Sequence, residues 1–227
     1  MKEKKSMEQV VYDTLTDAII SRKIAPGTQL IETMISEQLK VSRTPIRNAI
    51  KRLEVDGFVN LIPNRGAFVI RPSIDEMVQA FHIRKELELI AVKDCFDLIT
   101  KEHIDDMLKL VEKEKKAFEQ KNVHGYIAAN KEFHLSLARA GGNKFLIEFL
   151  SKILAQIDIY LLIYNAFNYL ESHQSNSWEE HYALIDSLRA KDRKVFNEKL
   201  IEHLQFSLEE LKIDSLNYQP LQELFDS

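Results

Sequence analysis

The chain contains one cysteine, Cys95, so it cannot form an internal disulfide, and a reducing, cytoplasmic location is expected. Six glycines and five prolines among 227 residues are few for a fold rich in strands and loops, which favours a mostly helical chain. No apolar run approaches the roughly 18–20 residues that span a bilayer, so no membrane association is expected. The charged first residues lack the apolar core of a secretory signal, and no signal peptide is predicted.

Charge divides the sequence into two parts. Residues 1–72 carry 12 Lys and Arg against 8 Asp and Glu, whereas residues 73–227 carry 19 against 27. All seven histidines lie in the second part. This division predicts two modules with different partners: a basic one suited to an anionic polymer, and an acidic one suited to a small molecule or a second copy of the chain. We place the modules at residues 1–72 and 73–213, followed by a tail of residues 214–227.

The first module contains three helical patterns followed by a hairpin pattern. Apolar residues recur at helical spacing over residues 7–22 and again over 34–40, where Thr33 is the expected N-cap. A third helix begins after Ser42 or Thr44 and buries an apolar stripe. Two short apolar runs around a basic turn then predict a β-hairpin. Three helices followed by a two-stranded wing make a winged helix-turn-helix.

The outward face of the third helix carries groups that suit DNA. Arg43 and Arg47 lie opposite the buried stripe near the helix N-terminus, where each can donate two hydrogen bonds to a guanine edge. The hydroxyls of Ser42 and Thr44 suit phosphate or base contacts beside that terminus. Arg65, at the tip of the hairpin, can reach a phosphate or the minor groove. Taken singly, each could be a solvated side chain, but their combined order predicts a DNA-binding module.

Four segments of the first module resemble the GntR family of bacterial transcription regulators. They are Pro26-Gly27-x-x-Leu30, Val41-Ser42-Arg43-Thr44-Pro45-Ile46-Arg47, Leu53-x-x-Asp56-Gly57-Phe58 and Gly66-Ala67-Phe68-Val69. The resemblance implies that the residues at Ser42, Arg43, Thr44 and Arg47 contact operator DNA, as does the wing with Arg65 and Gly66. Lys40 stands where the family usually has glycine, and a left-handed residue there costs about 1 kcal/mol if it is not glycine.

Apolar residues recur at helical spacing almost throughout the second module. The predicted helices cover residues 74–98, 101–120, 123–140, 143–169, 176–190 and 192–213. Short breaks between long amphipathic helices predict an antiparallel all-helical bundle. Residues 101–121 are dense in mixed charge, and we interpret them as a solvated outer helix.

The second module lacks common enzyme motifs such as a glycine-rich phosphate loop, G-x-S-x-G or H-E-x-x-H, and no enzymatic activity is predicted. Cys95 lies among apolar neighbours and is predicted to be a packing residue. His134, His181 and His203 lie within three separate helices, with Asn130 one turn before His134. The three histidines are either satisfied core residues or the ligands of a divalent metal, and their spacing leaves both interpretations open.

Residues 74–213 resemble the FCD ligand-binding domain of the FadR-type branch of GntR regulators. The matching pieces are Arg84-Lys85-Glu86-Leu87-Glu88, Asn130-Lys131-Glu132-Phe133-His134 with Gly142-Asn143, Glu180-His181-x-x-Leu184-Ile185 and His203-Leu204. The resemblance implies a divalent ion held by an acid and three histidines, with the neutral Asn130 in the acid position. It also places Arg84 near the ligand, where Arg84 either pairs with an effector carboxylate or forms an i,i+4 ion pair with Glu88.

Together these features predict a cytoplasmic DNA-binding transcription regulator that acts as a homodimer on palindromic double-stranded operator DNA. The expected cofactor is Zn²⁺ or a similar first-row ion, bound by Asn130, His134, His181 and His203. The expected effector is a small carboxylate that contacts Arg84. One alternative is a FadR-type regulator with a metal-free pocket for an acyl or apolar ligand. Another is a metal-dependent enzyme fused to a DNA-binding domain.

Overall fold

The computed structural model describes residues 5–21, 23–164 and 177–209. The chain forms two compact units; the first ends at Pro72 and the second begins at Ser73. Both are dominated by helices, with one small sheet in the first unit, so the predicted mostly α class is confirmed. No helix within the described ranges is both long enough and apolar enough to cross a membrane.

The first unit is a winged helix-turn-helix. Its elements are α1 (Met7–Ile20), β1 (Gln29–Leu30), α2 (Glu32–Leu39), α3 (Arg43–Val55), β2 (Val59–Ile62) and β3 (Gly66–Val69). The strands form an antiparallel sheet in the order β1-β3-β2, so the predicted hairpin has a third strand that the sequence did not indicate. The prediction that Thr33 caps α2 is wrong, because α2 already begins at Glu32 and its N-cap is Ile31.

The turn between α2 and α3 holds a lysine in a conformation that favours glycine. Lys40 has φ 53° and ψ 40°, the left-handed region. The backbone N–H groups of Lys40 and Val41 both donate to the carbonyl of Ser36. The Ser36 hydroxyl in turn donates to the Val41 carbonyl at 2.7 Å. These hydrogen bonds close the turn and offset the strain of a side chain at this position.

The second unit is a bundle of six α-helices within the described ranges. They are α4 (Ile74–Cys95), α5 (Lys101–Glu119), α6 (Val123–Gly141), α7 (Lys144–Tyr164), α8 (Ser177–Arg189) and α9 (Arg193–Glu209), and a short 3₁₀ turn follows α4. Polar caps set several of the boundaries. Ser73 and Glu76 form a capping box at α4, and the Asn143 side chain accepts from the Leu146 N–H at 3.2 Å at the start of α7. The predicted helical residues 165–169 and 210–213, and the tail of residues 214–227, lie outside the described residues.

The core of the bundle brings side chains from all six of these helices together. Its largest fully buried members include Phe133, Leu135, Met107 and Phe196. Cys95 is also fully buried, and burial raises the pKa of its thiol to about 12. A protonated, enclosed thiol packs as a small apolar group, as the sequence predicted.

Candidate functional site

The residues predicted to contact DNA at α3 are exposed in the first unit. Ser42, Arg43, Thr44 and Arg47 lie at the N-terminal end of α3, whose buried residues begin with Ile46. Ser42 is the N-cap residue, and its side chain makes no capping hydrogen bond in the described part of the chain. Arg47 donates through Nε to Oε2 of Glu32 on α2 at 2.8 Å. This partly exposed ion pair holds Arg47 at the helix surface.

The wing tip is shaped by its backbone. Asn64 and Gly66 have φ values of 61° and 98°, and the Gln29 side chain donates to the carbonyl of Arg65 at 2.6 Å. A Cβ at Gly66 would lie 3.2 Å from the same Gln29 nitrogen, so glycine suits both the conformation and the close approach. The exposed Arg65 guanidinium lies 5.5 Å from the centre of the Phe68 ring.

Three histidines from three helices meet inside the bundle. His134 comes from α6, His181 from α8 and His203 from α9, and all three are buried. One ring nitrogen from each lies within 4.8 Å of the others. The Nε2 atoms of His134 and His203 are 3.3 Å apart, and Nε2 of His181 has no hydrogen-bond partner among the described residues.

Each of the three histidine rings is hydrogen-bonded through Nδ1 to a glutamate carboxylate. Glu88 of α4 contacts Nδ1 of His134 at 2.7 Å, Glu114 of α5 contacts Nδ1 of His181 at 2.7 Å, and Glu180 of α8 contacts Nδ1 of His203 at 2.5 Å. Because an ionised carboxylate only accepts, each Nδ1 carries a hydrogen and donates it. In the neutral ring, each Nε2 is then an acceptor that faces the centre of the cluster.

Burial favours the neutral form of two of the rings, those of His134 and His203. Burial, with the Arg84 charge nearby, lowers the pKa of His134 well below its ordinary value, although Glu88 opposes this effect. Burial also lowers the pKa of His203 against the opposing contact with Glu180. Burial would raise the pKa of Glu88, but the charge of Arg84 and the hydrogen bonds from Arg84 and His134 outweigh burial and keep that carboxyl ionised. Neutral imidazole is the form that coordinates metals.

The donor set fits a divalent cation. Two neutral Nε2 lone pairs that face each other at 3.3 Å in a buried site repel unless a cation lies between them. Nitrogens bound about 2.1 Å from one zinc ion, at tetrahedral or octahedral angles, are about 3.0–3.4 Å apart. The His134–His203 pair meets this spacing, and the three nitrogens together lie within the wider limit of 4.8 Å. Carboxylates that fix the tautomer of ligating histidines are a usual feature of metal sites. The unpartnered Nε2 of His181 supplies a third donor.

The other two predicted site residues have partners outside the cluster. Asn130 donates through Nδ2 to Oε1 of Glu114 at 3.1 Å. Arg84 is buried and donates through Nε to Oε1 of Glu88 at 2.6 Å, which is the predicted i,i+4 ion pair. Its Nη2 has no hydrogen-bond partner among the described residues, so the buried guanidinium keeps a free donor.

The interpretation of residues 101–121 as a solvated outer helix is wrong in one respect. Glu114 of this helix is fully buried and bonds His181, Ser177 and Asn130. Glu88, Glu114 and Glu180 were not predicted from the sequence as partners of the histidines. A signal for Glu114 existed, because it lies at helical spacing with the buried Met107 and Val111.

Two family models match the chain. The model of bacterial regulatory proteins of the gntR family matches residues 7–69, and the FCD domain model matches residues 79–206. The first range contains the winged helix-turn-helix, and the second contains the three histidines with their carboxylates.

Individual transcriptional regulators are similar to the chain over most of its length. The chain is 24% identical over 199 residues to the HTH-type transcriptional repressor RspR of Escherichia coli, covering 88% of this chain and 86% of that protein. The solved structure of E. coli McbR/YncC is similar with a TM-score of 0.64 at 26% identity, over 92% of this chain and 98% of that one. A GntR regulator structure from Rhodococcus sp. RHA1, at 21% identity, shares the fold with a TM-score of 0.67 over 93% of this chain and 100% of that one.

Proposed function

Because the chain belongs to the GntR family of bacterial regulatory proteins and carries a C-terminal FCD domain, it is a transcriptional regulator and not an enzyme, and we propose that a small carboxylate bound at a metal ion controls its affinity for operator DNA. The observation that carries this proposal is the pair of Nε2 atoms facing each other at 3.3 Å between His134 and His203. We propose the cytoplasm as its location.

The DNA contacts that we propose are those of α3 and the wing. Arg43 and Arg47 read guanine edges in the major groove, while the hydroxyls of Ser42 and Thr44 contact phosphates or bases beside them. Arg65 contacts the backbone or the minor groove, and Gly66 allows the wing tip to approach closely. Support comes from the exposure of all these residues at the end of α3 and in the β2–β3 turn.

A homodimer on a palindromic operator is the proposed assembly. Ile83 and Ile90 on α4 and Phe145 and Phe149 on α7 are each about half exposed or more, and α4 packs against α7. Large exposed apolar side chains on adjoining helices are typical of protein interfaces. A two-fold dimer would place two recognition helices in successive major grooves. Sedimentation of the wild type should give a dimer, and Phe149→Ser should shift it towards monomer.

The proposed ligand site uses groups from four helices. His134, His181 and His203 would hold the ion through Nε2. The proposed ion is Zn²⁺ or a similar first-row ion. It would supply positive charge and open coordination positions for a carboxylate. The free Nη2 of Arg84 would donate to the same carboxylate. Effector binding changes operator affinity only if the effector favours one arrangement of the DNA-binding units over another.

Two measurements test the proposal. Elemental analysis of purified protein should give one first-row ion per chain near neutral pH, and a chelator should remove it together with the thermal stabilisation that it provides. Operator selection from random DNA, repeated with a panel of small carboxylates, should return a palindrome whose binding changes with one of them. A protein that binds its operator, takes up no metal and responds to acyl compounds would instead have a metal-free apolar pocket.

A further inference from the structure

Glu114 connects three helices of the bundle at the histidine cluster. From its buried position on α5, Oε2 accepts from Nδ1 of His181 on α8. Oε1 accepts from the Ser177 hydroxyl at the start of α8 and from the Asn130 amide on α6 at 3.1 Å. The orientation of the His181 ring is therefore tied to Glu114, and that of Glu114 to Asn130.

The Asn130 amide has a defined orientation. A carboxylate cannot donate, so the amide must turn its nitrogen towards Glu114. An aspartate at this partly buried position would place a second carboxylate about 3 Å from the fully buried Glu114, and the two like charges would repel. Asparagine thus suits a site whose nearby negative charge lies on Glu114, behind His181.

We propose that Asn130 is a positioning residue: its amide holds Glu114, which holds His181, and the Nε2 atoms of the three histidines bind the ion. This inference rests on the proposed metal site and deepens it. With no ligand carboxylate, the ion keeps its full charge for the open positions, and this favours an anionic effector over a neutral one.

Three variants distinguish this positioning role from a role as a metal ligand. If Asn130 were a ligand, Asn130→Asp would tighten Zn²⁺ binding, because a carboxylate is the stronger ligand. In the positioning role, Asn130→Asp should weaken Zn²⁺ binding by about 10–100-fold, the usual effect of changing a group that orients a ligand. The double variant Asn130→Asp with Glu114→Gln should restore part of the lost Zn²⁺ affinity. In that variant the amide at position 114 can donate to the carboxylate at position 130, so the hydrogen bond forms again with its direction reversed. Ala128→Asp adds a charge to the exposed side of the same helix and should leave Zn²⁺ affinity unchanged.

The measurements are Zn²⁺ titration of metal-free full-length protein and, in parallel, NMR of its ¹⁵N-labelled histidine rings. Wild type should show the Nδ1–H tautomer at His181, and Asn130→Leu should perturb that signal while leaving His203 unchanged. Tighter Zn²⁺ binding by Asn130→Asp, or a failure of Glu114→Gln to restore any affinity, would overturn the positioning role. If wild type binds no Zn²⁺, the proposed metal site fails, and the NMR result alone decides whether Asn130 orients His181: an unchanged signal in Asn130→Leu refutes it.

Discussion

Replacing Glu88 should destabilise the bundle more than any surface substitution. Glu88 is fully buried and accepts from two groups, Nε of Arg84 at 2.6 Å and Nδ1 of His134 at 2.7 Å. Glu88→Gln removes the charge and leaves the buried guanidinium of Arg84 without a counterion. Breaking a buried pair by removing one partner costs about 3–5 kcal/mol. That is a large part of the roughly 5–15 kcal/mol that stabilises a typical protein.

Urea unfolding of metal-free protein measures this cost. The single tryptophan, Trp178, is buried in the bundle core, so its fluorescence reports the unfolding of this unit. Glu148→Gln is the matched control, because Glu148 forms an exposed i,i+4 pair with Lys152. That change should alter stability by less than about 1 kcal/mol. If Glu88→Gln unfolded within about 1 kcal/mol of both wild type and the control, the buried Arg84–Glu88–His134 chain would not contribute as inferred.

Most of the fold could be predicted because its signals are local. Long amphipathic helices with polar caps, such as those at Ser73 and Asn143, reveal themselves within a few residues of sequence. Strand β1 (Gln29–Leu30) could not be found in this way. Two residues are too few to show the alternation of apolar and polar side chains that marks a strand. Their pairing partners, Phe68 and Ala67, also lie far away in the sequence.

The site was only half predictable. His134, His181 and His203 were identifiable as polar residues on apolar helix faces, but their convergence depends on how three helices pack. Their carboxylate partners were hidden because glutamates on charged helices are usually solvated. Glu114 is a case in which packing overrides that expectation, since the ring of His181 and the amide of Asn130 replace water around it.

Three further predictions concern the DNA surface, the ligand site and the pH dependence of stability. Arg47→Ala should weaken operator binding by about 1–3 kcal/mol and relax sequence preference at one position per half-site. Arg65→Ala should weaken binding about equally across DNA sequences and lower the salt dependence of binding by about one counterion. Titrations of selected and random DNA at several salt concentrations measure both effects. His134→Ala should abolish metal uptake and the effector response but leave operator binding by the N-terminal unit intact, as elemental analysis and gel shifts would show. Burial raises the pKa of Asp158 to about 6 against the opposing charges of Lys131 and Arg84, so the folded chain holds this proton more tightly than the unfolded chain. Stability from this group is therefore fully present below about pH 4 and is lost as the pH rises through about 6, by roughly 3 kcal/mol for a shift of about two pKa units. Asp158→Asn does not titrate, so its stability relative to wild type in urea should increase between pH 4 and pH 7.5, and a difference that stays constant over this interval would show that Asp158 is not the group responsible.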